Sequence, residues 1–204
     1  MNGTQPFRRK KTRAPSGAAV RSAALTEQLY RAFFEEWAER GFAALSLERV
    51  AARAGAGMAA IYRRFASKLA FAEAALDALG PSLALPEDTG ALQSDVLSFL
   101  LRLRAVLRHP MIRRILPDLH AEASRSQEMR AINTHVAAVR RDLGRALLER
   151  ALARGDLPRS LDRELALDLL PATLYWRMVV IGRTPSTKEL RTIASSLSAA
   201  LRRL

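Results

Sequence analysis

The spacing of the apolar residues constrains this chain more than any other feature of its sequence. Apolar side chains recur at intervals of three and four residues in almost every segment, and no convincing run alternates between apolar and polar residues. From about residue 20 to 40, for example, Leu29, Phe33 and Trp37 fall on one side of a helix that Gly41 then stops. The pattern therefore predicts an all-α protein.

Caps and breakers divide this helical pattern into separate helices. Ser46 and Ser67 each offer an N-cap, and the pair Gly80-Pro81 ends the helix that starts after Ser67. Behind the connector "PSLALPEDTG", the periodicity predicts helices over 91–107, about 111–123, about 127–153, 162–181 and 186–204. We therefore predict three parts, namely a basic disordered arm over 1–19, a small helical domain over 20–80 and a larger helical domain over 81–204.

The last two predicted helices have unusual patterns. Segment 162–181, "DRELALDLLPATLYWRMVVI", is apolar on nearly all sides, so we expect neighbours to cover it from more than one direction and Pro171 to kink it or shift its hydrogen bonds. Segment 186–204 opens with a Ser186-x-x-Glu189 capping box and carries a narrow apolar stripe. Periodicity alone leaves two alternatives open, a dimer interface or closure of the chain's own core.

The charge of the chain points to an acidic partner. The net charge is +13, which favours nucleic acid first and an anionic membrane surface second, although a generally basic proteome would give the same balance. Arg8, Arg9, Lys10 and Lys11 belong to a block that precedes the first acidic residue, Glu27. Such a block is typical of a disordered arm that binds an anion.

Composition excludes several classes of protein. The chain has no cysteine and no apolar run as long as the roughly 18 residues of a membrane helix, so we expect no disulfide, no thiolate metal site and a cytoplasmic location. Its three histidines lack metal-ligand spacing, and Glu164 and Asp168 are better placed to solvate a helix than to act as catalysts. We therefore expect no metal, no cofactor and no enzymatic activity.

The stretch "AGAGMAAIYRRFASK" (54–68) is the most informative motif. Its "GAGMAA" loosely fits a G-x-G-x-x-G/A nucleotide fingerprint, which requires a strand before the glycines. The preceding "SLERVAARA" is helical and no βαβ unit follows, so the context excludes a dinucleotide site. Two helices joined by a short glycine turn instead favour a DNA-binding helix-turn-helix.

Helical geometry assigns faces to the second helix of this motif. At about 100° per residue, Ile61 and Phe65 fall together on the buried side. The residues predicted to lie opposite them are Ala59, Ala60 and Arg63, with Tyr62 and Arg64 on the flanks. A small face with one arginine suits close approach to base edges, while the flanking groups suit phosphates. A solvated charged face remains the alternative.

The segment "ALSLERVAARAGAGMAAIYRRFASKLAF" resembles the N-terminal domain of TetR/AcrR-type transcriptional regulators. The matching positions are Ser46, Val50, Ala51, Ala54, Gly55, Ile61, Tyr62, Phe65, Ser67 and Lys68. The second region resembles more weakly the ligand-binding domain of such regulators, as in "RELALDLLPATLYWRMVVIG". The resemblance implies an all-helical protein of about nine helices that forms a homodimer through 162–181 and 186–204.

The resemblance also assigns DNA contacts. It places Ser46, Tyr62, Arg64 and Lys68 on phosphates, and Met58, Ala59 and Arg63 against bases. The sequence departs from the family's usual Ser, Lys, Gly and Thr at Gly57, Met58, Ala59 and Ala60, so Arg63 is left as the main hydrogen-bonding base reader. We therefore expect affinity to depend on phosphate charge and on Arg8, Arg9, Lys10 and Lys11, which could enter the minor groove.

The larger domain is expected to hold a small molecule between its helices. Candidate lining residues are Phe99, Leu103, His120, His135, Tyr175 and Trp176. The predicted function is that of a repressor that binds a pseudo-palindromic operator as a homodimer and is released by a small apolar or amphipathic effector. The alternative is a basic nucleic-acid-binding or membrane-surface protein without effector control.

Overall fold

The structure, a computed structural model, describes residues 17–78 and 88–204, with side chains from Ser22 onward in the first range. Residues 1–16, including Arg8, Arg9, Lys10 and Lys11, and the predicted stop at Gly80-Pro81 lie outside the described residues. The helices are α1 (Gly17–Ala44), α2 (Leu47–Arg53), α3 (Met58–Tyr62), α4 (Lys68–Asp77), α5 (Leu92–Arg108), α6 (Pro110–Arg125), α7 (Gln127–Arg154), α8 (Arg163–Tyr175) and α9 (Thr187–Leu201). Within these ranges there is no strand, which confirms the all-α prediction.

Local signals in the sequence set most of the helix ends. Ser46 and Ser67 cap α2 and α4, and Ser186 forms the predicted capping box with Glu189 at the start of α9. Gly41 interrupts α1 with φ +77°, a conformation that favours glycine, one turn before the helix ends.

The structure differs from the sequence prediction at α3 and at α8. Helix α3 was expected to continue through Phe65 but ends at Tyr62, since the N–H groups of Arg64 and Phe65 both bond to the carbonyl of Ile61 and tighten the last turn. Pro171 lies inside α8, but the change in hydrogen bonding comes further along, where Trp176–Val180 form a π-helical turn. There the N–H of Ile181 bonds to the carbonyl of Trp176.

The first hydrophobic cluster surrounds the aromatic residues of α1 to α4. The rings of Phe65 and Phe71 stack with centroids 4.1 Å apart, and Phe33 packs on Phe71 at 4.6 Å. Ile115 of α6 and Ile132 of α7 are buried in the same cluster. The helix-turn-helix unit is therefore packed directly onto α6 and α7.

The second hydrophobic cluster is formed by α5 to α9. An ion-pair group ties the beginning of α5 to the end of α7, because Arg154 donates to the buried Asp95 at 2.7 Å and to Asp156 at 3.0 Å. The backbone N–H of Leu92 also donates to Asp156. These contacts close the larger helical bundle at one end.

The two C-terminal helices differ in how much of their apolar surface a single chain covers. The apolar stripe of α9 is buried in the chain's own core, apart from the exposed Ala200. Segment 162–181 was expected to be covered by neighbouring elements on several sides, and within one chain this packing is incomplete. Large apolar side chains remain exposed at Leu165, Trp176, Val180 and Ile181. No helix in the described part of the chain is long and apolar enough to cross a membrane.

Candidate nucleic-acid interface

A tight turn joins α2 to α3. The Ser46 hydroxyl accepts a hydrogen bond from the N–H of Arg49 and thereby caps α2. Gly55 has φ +63°, and the N–H of Ala56 returns to the carbonyl of Ala51 at 2.9 Å, which ends α2 in a glycine turn. Gly57 occupies the N-cap of α3 without a side-chain hydrogen bond. The two glycines therefore shape a helix-turn-helix.

Helix α3 buries one side and exposes the other. Ile61 and Phe65 are buried as predicted, whereas Ala59, Tyr62 and Arg63 are exposed, Tyr62 to 58%. Ala60 is a correction, because it was expected on the exposed face and is only 7% exposed.

Ala60 lies on the side of α3 from which a side chain reaches α1. Ala60 and Arg64 share one side of α3, and Arg64 reaches across to α1. Its guanidinium donates to Thr26 Oγ1 at 3.3 Å, to Ser22 Oγ at 3.2 Å and to the Ala60 carbonyl at 2.9 Å. Arg64 thus holds α3 on α1, and its contact with phosphate stays a prediction.

The Lys68 ammonium caps the end of α1. Its Nζ donates to the carbonyls of Phe42 at 2.5 Å and Leu45 at 3.2 Å, and it lies 4.5 Å from the centre of the Phe42 ring. Burial lowers the pKa of Lys68. In this conformation Lys68 satisfies helix carbonyls, so its predicted contact with phosphate would need a change of partner.

Ser46 has an acidic neighbour at the same end of α2. Its Oγ donates to Glu48 Oε2 at 2.6 Å, and this bond lowers the pKa of the exposed Glu48. A carboxylate beside the hydroxyl opposes phosphate at this position by charge repulsion. The hydroxyl would have to leave Glu48 in order to donate to DNA.

A buried carboxylate that the sequence analysis missed fixes α2 against α1. Glu36 is 1% exposed and accepts from Arg49 Nε at 2.5 Å and Arg53 Nη2 at 3.4 Å. Arg53 also pairs with Glu39 at 2.8 Å. In the sequence, the sign that Glu36 is buried is its position directly before the core residue Trp37. Because both arginines of α2 are paired internally, Arg63 is the arginine that this motif presents outward, with no side-chain hydrogen bond within the described residues.

Two family models match consecutive parts of the chain, the first over the helix-turn-helix and the second over the larger helical domain. The model "Bacterial regulatory proteins, tetR family" matches residues 29–75, and the model "Tetracyclin repressor-like, C-terminal domain" matches residues 86–197. The chain belongs to the TetR family. It is therefore a DNA-binding transcriptional regulator and not an enzyme, as the sequence analysis predicted.

Individual relatives agree with this family. A DNA-binding transcriptional repressor TetR of Mycobacteroides abscessus is 32% identical over 80% of this chain and 84% of its own. The HTH-type transcriptional regulator Mb1581 of Mycobacterium bovis is 30% identical over 78% of each chain. The fold is similar to that of Salmonella enterica GusR, with a TM-score of 0.69 and 23% identity over 88% of this chain and 94% of GusR.

The six predicted pocket residues of this TetR-family regulator do not form one group. Tyr175 Oη of α8 lies 2.5 Å from His120 Nε2 of α6, so these two are brought together. His135 instead pairs with Asp77 of α4 at 2.5 Å, and Trp176 is 58% exposed. Phe99 and Leu103 are half-buried on α5, against the second hydrophobic cluster. Within the described residues no group of His, Asp and Glu side chains could hold a metal ion.

Proposed function

We propose that this regulator is a cytoplasmic repressor that binds a pseudo-palindromic operator as a homodimer and leaves it when a small effector binds between α6, α7 and α8. The observation that carries the proposal is the exposed face of α3, where Ala59, Tyr62 and Arg63 stand opposite the buried Ile61 and Phe65. The name of the Mycobacteroides abscessus relative, a repressor, supports the sign of the regulation.

Each side of α3 would have its own role in the complex. Arg63 is the group that can read a base pair through two hydrogen bonds, while Met58 and Ala59 offer apolar contact to a thymine methyl. Tyr62 would contact phosphates beside the groove, and Ser46 would do so only after its hydroxyl leaves Glu48. Arg64 and Lys68 hold α3 and α4 on α1 and reach phosphate only by exchanging partners.

The domain division belongs to this proposal. The arm over 1–19 would add phosphate or minor-groove contacts through Arg8, Arg9, Lys10 and Lys11, the part over 20–80 would bind the major groove, and the part over 81–204 would bind the effector and a second copy. Deletion of residues 1–17 should lower operator affinity at physiological salt. Unchanged affinity would remove the arm from the proposal.

Homodimer formation is supported by the apolar side chains that one chain leaves uncovered. Leu165, Trp176, Val180 and Ile181 are 43%, 58%, 56% and 59% exposed. Exposed apolar side chains clustered on one helix and its extension favour association. The proposed dimer would present two α3 helices to successive turns of the major groove, about 34 to 36 Å apart.

Selection of bound DNA from a random pool, performed with the full chain, tests the proposal. We expect a palindromic motif, and binding to it should weaken by about 10³ to 10⁵ between 50 and 200 mM salt if roughly 6 to 10 phosphates are contacted. A reporter behind the selected motif should become more active when the regulator is absent. Equal binding to all sequences, or to anionic vesicles, would support the alternative of a basic surface-binding protein without effector control.

A further inference from the structure

A polar group of three side chains lies where α6, α7 and α8 meet. His120 and Tyr175 are joined by the 2.5 Å hydrogen bond, with their ring centres 6.0 Å apart and their planes at 68°. Arg140 of α7 is near enough to both of them to interact electrostatically. Helices α6, α7 and α8 therefore contribute an imidazole, a guanidinium and a phenol to one neighbourhood.

The charge of Arg140 is not balanced by a carboxylate in the described part of the chain. The arginine next to it differs, because Arg141 pairs with both Glu164 and Asp168. Burial lowers the pKa of Arg140, which means that its surroundings disfavour the charged form. A half-buried guanidinium beside neutral partners gains free energy when an anion binds.

We propose that Arg140, Tyr175 and His120 bind the carboxylate of a small organic acid and that this acid is the effector of the regulator. The inference rests on the proposed function and narrows its apolar or amphipathic effector to an amphipathic carboxylate. The guanidinium can donate two parallel hydrogen bonds and the Tyr175 hydroxyl one more. Because Arg141 is already paired, one guanidinium balances one charge, which suits a carboxylate better than a phosphate dianion.

The apolar part of the acid has a wall beside this group. The Tyr175 ring is half-buried against the second hydrophobic cluster, which also includes the half-buried Val179 one turn further along. An alkyl or aromatic body that follows the carboxylate can pack on these side chains.

Helix α6 connects this site to the DNA-binding part. His120 lies two residues from Asp118, and Asp118 accepts hydrogen bonds from Trp37 and from the backbone of Phe42 at the end of α1. A ligand that moves His120 therefore moves a helix on which α1 is anchored. Release from DNA then requires that the acid binds more tightly to the displaced arrangement.

Thermal unfolding of the full chain without DNA tests the site. The probes are octanoate, benzoate and phenylacetate, each compared with its primary amide, and we expect the acids to raise Tm with concentration while the amides do not. Arg140→Gln should weaken the response to the acids about 10- to 100-fold. Arg145→Gln, which alters an exposed arginine of the same helix that pairs with Asp142, should respond like the wild type.

A second variant tests the site independently, in case Arg140→Gln does not fold. Tyr175→Phe keeps the ring and removes the hydroxyl, and it should weaken binding of the acids by a few-fold, roughly the loss of one hydrogen bond. Equal stabilisation by amides, an undiminished response in Arg140→Gln, or no stabilisation by any of the acids would overturn the inference. A chain that selects a palindromic operator yet ignores the acids overturns this inference alone. A chain that binds the acids but selects no operator overturns the proposed function and not the site.

Discussion

The indole Nε1 of Trp37 donates a 2.6 Å hydrogen bond to Asp118 Oδ2, and this bond links α1 to α6. The same oxygen accepts the backbone N–H of Phe42 at 2.9 Å. Gly41 lies between these donors, and a Cβ there would approach Asp118 Oδ1 to 3.0 Å. The carboxylate of Asp118 is thus fitted to the end of α1, which in turn carries the carbonyls that Lys68 caps.

Asp118→Ala should destabilise the protein. Trp37 is 1% exposed, so its N–H would lose a charged acceptor without gaining full access to water, as would the N–H of Phe42. We expect the free energy of unfolding to fall by about 2 to 4 kcal/mol, measured by urea denaturation. Combining the change with Trp37→Phe should give less than the sum of the two losses, because both remove one interaction. Strict additivity would contradict the role of the bond.

Lys68→Met should separate the two roles of this lysine. If the ammonium caps α1 as observed, the variant loses stability by about 1 to 2 kcal/mol and the salt dependence of operator binding keeps its slope. If it also neutralises a phosphate, the slope of log K against log salt falls by about one. We expect the unchanged slope. Measurements at four or more salt concentrations decide between the roles.

Arg63→Ala should reduce operator affinity by about 1 to 3 kcal/mol and relax sequence preference at one position of each half-site. The physical reason is that Arg63 is exposed and free of side-chain hydrogen bonds in the described residues, so the loss concerns DNA and not folding. Arg113→Ala, at an exposed arginine of α6, is the matched control and should keep the preference. An unaltered motif selected by Arg63→Ala would show that other groups read the bases.

Features that depend on neighbouring residues along the chain were predictable from the sequence. The capping serines, the glycine turn and the burial of Ile61 and Phe65 each follow from local spacing, and the structure has all of them. The contacts of Lys68, by contrast, depend on where α1 ends relative to α4, which no spacing encodes. Ala60 was misplaced for a similar reason, since Arg64 reaches α1 along the same side of α3 and bonds to the Ala60 carbonyl.

The pocket residues of the larger domain also could not be grouped from the sequence, because they are brought together only by the packing of helices. His120 and Tyr175 are 55 residues apart in sequence and meet only because α6 packs beside α8. Arg140 was missed, because a single arginine on a long helix with many charges carries no local sign of being half-buried. The stripe of α9 was recognised correctly as apolar, but its partner could be found only from the packing, which places it against the chain's own core.

The capping box of α9 should make stability depend on acid. Hydrogen bonds from the backbone and side chain of Ser186 hold the pKa of Glu189 at about 2 instead of 4.5, and Arg177 and Arg183 act in the same direction. A lowered pKa in the folded state means that this stabilisation is complete above about pH 4.5 and is lost as the pH falls towards 2. Glu189→Gln should therefore be less stable than the wild type at neutral pH, and the difference should shrink on acidification. A constant difference in urea denaturation between these pH values would contradict this role.

Ile181→Glu should separate the two copies of the proposed dimer without unfolding either one. Ile181 is 59% exposed in a single chain, so a carboxylate there costs little in a monomer, but in an interface it would be buried beside Trp176 and Val180. We expect the dimer dissociation constant, measured by sedimentation, to rise by roughly 30- to 1,000-fold, which corresponds to about 2 to 4 kcal/mol.

The matched control for this change is Thr184→Glu, an exposed position outside the apolar group that should leave association unchanged. Leu197→Glu provides the opposite comparison, because Leu197 is 8% exposed and packs in the chain's own core, so that variant should unfold. Operator binding should weaken in Ile181→Glu in step with the loss of dimer, since one α3 helix then reads only one half-site. A variant that stays dimeric with unchanged affinity would place the interface elsewhere than on the end of α8 and its π-helical extension.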